Sequence, residues 1–251
     1  MLSAVIIARN EAANIERVIE SVLGVVTEVL VIDSGSTDGT QQLARALGAK
    51  VLDIEWKGYG ATKNWAAAQA ANPWILSLDA DEELTDHLRA TIGRLTLDEL
   101  SPKPVYGFKR LTQFCGKWIH HGAWSRDVVW RIYHREVAAW STRPVHETLE
   151  ITSGTLTFEL AGELNHYSFH TLEQYHKKHD SYAQLGAEAL HAQGKKASWQ
   201  KRYVAPFWRG FKGYIIQGGW RDGAAGWQIA VLDYRHVKDK YQRLKYLNRG
   251  S

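Results

Sequence analysis

Two aspartates separated by one residue, Asp79 and Asp81, come directly after a short apolar run at residues 74–78. The run predicts a buried strand, because it is short, apolar and bounded by polar residues. Residues two apart in an extended chain point to the same side, so both carboxylates can converge on one hard cation. The competing interpretation is a solvated acidic turn that caps a helix predicted over residues 82–95. For an isolated pair of aspartates, the solvated turn is the better interpretation. The choice between the turn and a metal site therefore depends on the segments that precede the pair.

Strands and helices alternate with short connections through the first hundred residues. The strands are predicted at residues 2–8, 28–32, 50–54 and 74–78, and the helices at residues 12–23, 40–47 and 62–71. This alternation predicts a doubly wound, mostly parallel α/β sheet. The carboxyl ends of such strands meet at one edge, which is where open α/β sheets bind ligands. We therefore expect the loops at residues 9–11 and 33–38 beside the two aspartates.

These loops carry groups that suit a nucleotide. The carboxylate of Asp33 can accept hydrogen bonds from a base or a ribose, and Ser34 and Gly35 offer backbone N–H groups in a tight turn. The simpler interpretation of that loop is an Asx-type turn leading into a helix. Lys63 is a cation suited to a diphosphate, although a single lysine is more often a solvated surface residue.

Composition sets broad limits. The chain has 251 residues, a formal charge of +4 and one cysteine, Cys115. A single cysteine excludes an intramolecular disulfide and a multi-cysteine metal site, which suits a reducing compartment. No apolar stretch approaches the roughly 20 residues of a membrane-spanning helix, and the amino terminus lacks the pattern of an export signal. We expect a cytoplasmic protein, soluble or peripheral on the inner membrane.

The segments at residues 5–11, 29–40 and 76–82 together resemble the family-2 glycosyltransferases in order, strand context and spacing. The resemblance implies a GT-A-like fold and an inverting transfer from a nucleotide-activated sugar, with Mg²⁺ or Mn²⁺. By position, it implies that Arg9, Glu11 and Asp33 contact the nucleoside. It implies that Asp79 lies near the ribose and the metal, and that Asp81 is the metal ligand that bridges to the diphosphate.

The middle of the chain extends the resemblance. Residues 116–124, the Asp127-x-x-x-Arg131 pattern and residues 145–147 look like the branch that includes bacterial lipopolysaccharide core β-1,4-glucosyltransferases. Asp127 occupies the position of the family's acidic base and Glu147 is its rival, since inversion needs a base for the acceptor hydroxyl. Arg131 is expected to contact phosphate or a loop. His146 is either a third metal ligand or, more commonly for a lone histidine, a structural residue.

Aromatic and cationic residues alternate near the carboxyl end, at residues 199–221. This composition fits three structures: a membrane-surface helix, a helical appendage with buried rings, or a site for single-stranded nucleic acid. We rank nucleic acid last, because the rest of the chain already indicates a sugar nucleotide. The predicted organisation is a GT-A-like domain at residues 1–170 and a helical appendage at residues 171–251.

The predicted function is transfer of a hexose to a glycan or glycolipid acceptor. By resemblance, the donor is UDP-glucose and the acceptor a bacterial surface glycan such as the lipopolysaccharide inner core. Two alternatives stay open. A sugar-phosphate nucleotidyltransferase would release pyrophosphate, and a non-catalytic sugar-nucleotide-binding membrane scaffold would bind without turnover.

Overall fold

The computed structural model describes residues 1–97, 102–125, 127–142, 147–169 and 171–249. The first elements are β1 (Leu2–Ala8), α1 (Ile15–Val22), β2 (Glu28–Asp33), α2 (Thr40–Ala46), β3 (Lys50–Asp53), α3 (Tyr59–Gln69), β4 (Trp74–Asp79), β5 (Glu82–Leu84) and α4 (Asp86–Ile92). They are followed by β6 (Val105–Phe114), β7 (Lys117–Ile119), β8 (Asp127–His134), β9 (Ala138–Trp140), β10 (Leu149–Ile151) and β11 (Thr157–Phe169). The last elements are α5 (Leu172–Ala192), α6 (Trp199–Phe211), a π-helical segment (Lys212–Ile216), a 3₁₀ turn (Gly219–Asp222) and α7 (Gly223–Leu247).

The chain forms two compact units. The first comprises Met1–Arg110 and Asp127–His166, and the second comprises Leu111–Arg126 and Tyr167–Ser251. The first unit holds the predicted α/β sheet, and the second holds the three long carboxyl-terminal helices.

In the first unit, the sheet has the strand order β3-β2-β1-β4-β8-β6-β11-β5. Strand β1 pairs in parallel with β2 on one side and with β4 on the other. The register places Ala8 opposite Asp33 and Ile7 opposite Asp79, so the three strands end at the same level. Strand β8 then joins β4 in the antiparallel direction, and β6 follows it. The predicted α/β fold with a helical carboxyl-terminal region is confirmed.

Helices cover both faces of the parallel strands. Along β1, Ala4 and Ile6 belong to one buried cluster and Val5 and Ile7 to another, as expected of a strand buried on both sides. The apolar stripe of α1 packs into the first cluster, whereas Ala66 of α3 packs into the second. This double burial fixes the strand ends that carry the site.

The helix predicted over residues 82–95 is wrong at its start. Glu82–Leu84 is a short strand, β5, which pairs with β11 in the antiparallel direction. The helix begins only at Asp86, after the hydroxyl of Thr85 accepts a hydrogen bond from the N–H of Leu88 at 3.3 Å. Sheet pairing with a partner about 80 positions away outweighed the local helical pattern.

The second unit packs around aromatic rings. Phe114, Ile119 and Tyr175 form its core with apolar residues of α7 such as Ile229. The indole N–H of Trp124 donates to Asp233 of α7, with a nitrogen–oxygen distance of 3.3 Å. Among the described residues, no helix is both long enough and apolar enough to cross a bilayer.

Candidate active site

Asp79 is held between two cations at the end of β4. Its Oδ1 lies 2.8 Å from Nζ of Lys63 on α3, and its Oδ2 lies 3.0 Å from Nη2 of Arg131 on β8. Burial alone would raise the pKa of Asp79. The charges and hydrogen bonds of Lys63 and Arg131 outweigh burial and hold that pKa well below its usual range. Asp79 therefore stays ionised and fixed in direction.

Glu82 extends this contact into a buried network. Its Oε1 lies 2.6 Å from Nη2 of Arg131, and its Oε2 accepts the backbone N–H of Asp79 at 3.0 Å. Burial alone would lower the pKa of Arg131, but Glu82 and Asp79 raise it above its usual range. Both charged side chains are almost fully buried. Two carboxylates three positions apart are thus joined by one guanidinium.

Arg110 of β6 connects the network to Asp127. Its Nη1 lies 3.6 Å from Oε1 of Glu82, and its Nη2 pairs closely with Oδ2 of Asp127 at the start of β8. The side chain of Asp127 is 45% exposed, in contrast to Glu82. Asp127 does not pair with Arg131 four positions later, as a simple strand ion pair would, because Arg131 faces Asp79 and Glu82. Asp127 is therefore an oriented and accessible carboxylate.

Glu147 lies at the other end of the network. Its Oε1 is 3.8 Å from Nζ of Lys63, the cation that also holds Asp79. That ammonium lies 4.3 Å from the ring centre of Trp140, which favours a cation through its π electrons. The indole N–H of Trp140 donates to the hydroxyl of Tyr133, and burial raises the pKa of Tyr133 to about 12. Lys63 is thus a buried site cation, contrary to the surface interpretation.

Asp81 lies beside a histidine that the sequence did not single out. Nε2 of His166 on β11 is 3.4 Å from Oδ2 of Asp81. Nδ1 of His166 is buried and has no hydrogen-bond partner within the described ranges. Carboxylate oxygen and neutral imidazole nitrogen are both ligands that Mn²⁺ accepts. His146, the histidine predicted as a third ligand, lies outside the described residues.

The loops after β1 and β2 are joined by hydrogen bonds at the carboxyl ends of the parallel strands, the edge that also carries Asp79. The buried carboxylate of Asp33 accepts the N–H groups of Gly35 at 3.0 Å and Ser36 at 2.8 Å, and Nε2 of Gln41 at 2.8 Å. Asp33 therefore closes an Asx-type turn here, the simpler of the two predicted roles. The N–H of Ser34 donates to the carbonyl of Ala8 at 3.1 Å, which ties this turn to the end of β1.

The loop after β1 is tied to the start of α2. The N–H of Glu11 donates to Oγ1 of Thr40 at 2.8 Å, and the carboxylate of Glu11 accepts from Nδ2 of Asn14 at 2.8 Å. Asn10 has a left-handed φ of 56°, and its side chain accepts the N–H of Thr37 at 2.9 Å. Arg9 is exposed at this edge. The predicted meeting of the loops is thus present.

The charges of the site leave it negative. Among the described residues of the site, the three cations Lys63, Arg110 and Arg131 are outnumbered by five carboxylates, those of Asp79, Asp81, Glu82, Asp127 and Glu147, which gives this set a formal charge of −2. No three His, Cys, Asp or Glu side chains of the described ranges form a ready-made metal cluster. A negative diphosphate would be repelled by this edge unless a cation accompanied it. The residues present therefore fit a divalent cation that arrives with its anionic ligand.

Three members of the network were absent from the predicted site: Glu82, Arg110 and His166. Only His166 carried a usable signal, because it follows buried Leu164 by two positions and so shares its face of β11. Glu82 was assigned to a helix, and the pairing partners of Arg110 depend on the order of the antiparallel strands.

Comparison with known proteins decides the family. Residues 3–100 match the model described as "Glycosyl transferase family 2". An uncharacterized glycosyltransferase of Rickettsia felis is 33% identical over 224 residues, which cover 86% of this chain and 79% of the relative. The chain belongs to glycosyl transferase family 2.

One further relative matches most of the chain, and a solved structure matches less than half of it. The lipopolysaccharide core biosynthesis glycosyltransferase LpsC of Rhizobium meliloti is 29% identical over 238 residues, covering 92% of this chain and 86% of LpsC. Among solved structures, glucosyl-3-phosphoglycerate synthase of Mycobacterium tuberculosis, in complex with Mn²⁺, UDP and glucosyl-3-phosphoglycerate, matches with 28% identity and a TM-score of 0.35. That match covers 45% of this chain and 44% of the synthase.

Proposed function

We propose that this protein is an inverting, metal-dependent glycosyltransferase that moves glucose from UDP-glucose to a bacterial surface glycan. The observation that carries the proposal is the carboxylate–cation network around Asp79 in a chain of family 2. The name of the relative LpsC supports an acceptor in the lipopolysaccharide core. The resemblance of residues 116–124 to core glucosyltransferases supports glucose as the transferred hexose.

Asp81 is the proposed principal metal ligand. Asp81 lies two positions beyond the paired carboxylate of Asp79, and its Oδ2 is 3.4 Å from Nε2 of His166, so that an oxygen and a nitrogen ligand stand beside each other. When bound, Mg²⁺ or Mn²⁺ would supply positive charge that stabilises the leaving diphosphate. Lys63 and Arg131 keep Asp79 ionised and directed, so the edge is preorganised.

Asp127 is the proposed base. It removes the proton from the acceptor hydroxyl while that oxygen forms a bond to the anomeric carbon and the bond to the diphosphate breaks. Its carboxylate is accessible, and Arg110 holds it in one direction through a close ion pair. Glu147 is the rival base, because it is also near the site cation Lys63.

The loops after β1 and β2 are the proposed nucleoside site. Arg9 is exposed at the strand ends, and the Asp33 turn presents Ser34 and Gly35 there. Glu11 supports the first loop through its contacts with Thr40 and Asn14. We assign the reaction to the cytoplasm, because the single cysteine suits a reducing compartment.

The test is release of a nucleoside diphosphate. Purified protein is incubated with Mn²⁺ or Mg²⁺, a panel of nucleotide sugars and core glycan acceptors, with and without EDTA. We expect UDP release from UDP-glucose that requires acceptor for full rate and stops with EDTA. Release of pyrophosphate from a sugar phosphate and a nucleoside triphosphate would instead establish a nucleotidyltransferase.

Two variants distinguish a specific role of Asp81 in metal binding from a general effect of removing one carboxylate. Asp81→Asn should reduce UDP release at least about 100-fold, because the carboxylate carries the metal contact. Asp86→Asn removes an exposed carboxylate on α4 and should leave the rate unchanged. Equal, EDTA-sensitive rates in both variants would overturn the assignment of Asp81.

A further inference from the structure

Helix α6 turns its large apolar side chains outward. Phe207 is 64% exposed, Trp199 63% and Trp208 52%. The exposed apolar residues recur every one to four positions, in the pattern that normally marks the buried side of a helix. We call this surface the α6 apolar face; its members are Trp199, Tyr203, Val204, Phe207, Trp208 and Phe211, and Ile215 and Ile216 of the π-helical segment continue it.

The inward side of the same helix consists of small residues. Pro206 and Gly210 are buried, and a Cβ at Gly210 would meet the carbonyl oxygen of Ala230 in α7 at 2.9 Å. Helix α6 therefore approaches α7 closely through its backbone. An ion pair of 3.0 Å between Arg209 and Asp233 fixes the same contact. The outward direction of the rings thus follows from the packing of the helix.

The segment that carries this face is strongly cationic. Residues 195–221 contain seven Lys and Arg residues and no Asp or Glu, which gives a formal charge of +7 in a chain whose total is +4. Lys201 and Lys212 are exposed among the apolar residues of the face. The charge is therefore concentrated where the apolar surface is.

The exposed apolar surface and the positive charge together indicate which kind of partner binds the α6 apolar face. A second copy placed by a two-fold axis would bring the cations of this segment against themselves, which opposes association. An anionic partner has complementary charge. The aliphatic side chains Val204, Ile215 and Ile216 suit hydrocarbon better than they suit stacked bases.

We infer that α6 and the π-helical segment lie in the headgroup layer of an anionic phospholipid bilayer. Together they have 18 residues and a length of about 27 Å at about 1.5 Å per residue. A helix of this kind lies in the plane of the interface, with its apolar face among the acyl chains and its cations at lipid phosphates. The inference is independent of the sugar chemistry, because it rests on α6 and the π-helical segment and on no residue of the proposed active site.

The experiment is vesicle flotation of the full chain without any substrate. Vesicles of phosphatidylglycerol and of phosphatidylcholine are compared, in buffers of about 0.1 M and about 1 M salt, where the screening length falls from about 10 Å to about 3 Å. We expect flotation with the anionic vesicles, at least tenfold weaker partition with the neutral ones, and a loss at high salt. Flotation that ignores lipid charge would overturn the inference.

Matched variants locate the contact. Phe207→Ser with Trp208→Ser, and separately Lys201→Glu with Lys212→Glu, should each lower partition at least tenfold. Phe158→Ser removes an exposed ring of the first unit and should leave partition unchanged. All replaced side chains are exposed, so circular dichroism and Tm should match the parent and show that the fold is intact.

Three further results would overturn the inference. They are unchanged partition of the Phe207 and Trp208 variant, face-dependent dimerisation without lipid in sedimentation velocity, and face-dependent binding of oligo-dT without vesicle binding. UDP release measured with a water-soluble acceptor should be the same in parent and variants. Failure of the glycosyltransferase proposal is therefore distinguishable from failure of this one.

Discussion

Asp79 and Arg131 lie 52 positions apart in the chain, and Oδ2 of the aspartate is 3.0 Å from Nη2 of the arginine. The contact joins the last parallel strand, β4, to the antiparallel strand β8 beside it. Lys63 holds the other oxygen of Asp79 from α3. The aspartate at the end of β4 is therefore positioned by two elements, α3 and β8, from different parts of the sequence.

Replacing Arg131 by methionine should destabilise the protein strongly. The change keeps the approximate length of the side chain but removes the closer of the two guanidinium groups at buried Glu82, which leaves only Arg110 at 3.6 Å. Breaking a buried ion pair from one side typically costs about 3–5 kcal/mol of unfolding free energy. Urea unfolding of Arg131→Met should show a loss in this range.

The matched control is Arg45→Met. Arg45 and Asp53 form a longer, solvent-exposed pair of 4.0 Å, and such pairs contribute about 0–1 kcal/mol. A loss below about 1 kcal/mol for Arg131→Met, equal to that of the control, would show that the buried network does not hold the fold together.

Acid should destabilise the parent more than an Asp79→Asn variant. The folded-state pKa of Asp79 lies below its ordinary value of 3.8, so the unfolded chain binds the proton more tightly. Its contribution to stability is full above 3.8 and is lost as the pH falls toward the folded-state pKa. Urea midpoints at pH 7, 5, 4 and 3 should fall more steeply below pH 4 for the parent. Parallel curves would contradict the depressed pKa.

Asp127→Asn should reduce kcat more than Glu147→Gln does. Loss of a general base typically lowers the rate about 100- to 10,000-fold. The asparagine keeps the shape of the side chain, so KM for the acceptor should change little. UDP release at saturating donor, measured against acceptor concentration, gives both quantities. If Glu147→Gln is the inactive variant and Asp127→Asn retains the rate, Glu147 is the base.

His166→Gln should weaken metal binding without abolishing it. His166 touches Asp81, and its loss should raise the metal concentration for half-maximal UDP release about 10- to 100-fold, as changes beside metal ligands do. Titration calorimetry with Mn²⁺ in the presence of UDP checks the affinity directly. His120→Gln serves as the control, because His120 is an exposed histidine outside the network. Equal affinities in the two variants would remove His166 from the metal site.

The sequence alone was sufficient to predict the parallel strands of the fold. Apolar runs such as Leu2–Ala8 and residues 74–78 are buried on both faces, so local composition reveals them, and polar loops mark their ends. The meeting of the loops after β1 and β2 follows from parallel topology alone. This is why the segments around Glu11, Asp33 and Asp79 were predicted at one edge.

The remainder of the site depends on pairings that local patterns do not specify. Glu82 was placed in a helix, because the strand that pairs with it is β11, far along the chain. Arg110 and Asp127 meet only because β6 and β8 are antiparallel neighbours in one register. Likewise, the interleaved rings of α6 were compatible with either a buried or an exposed apolar face. Because the side of α6 that carries Gly210 packs against α7, the large rings face outward.

The buried charges also bear on the order in which the chain can fold. Residues 3–100, which match the family, contain Asp79 and Glu82 but end before Arg110 and Arg131. During folding, the carboxylate of Glu82 on β5 therefore has no cationic partner until β6 and β8 join the sheet, whereas Asp79 already has Lys63 of α3. Contacts of such long sequence separation form slowly, because loop closure must precede them. The docking of β8 should thus be the step that completes the charge network of the site.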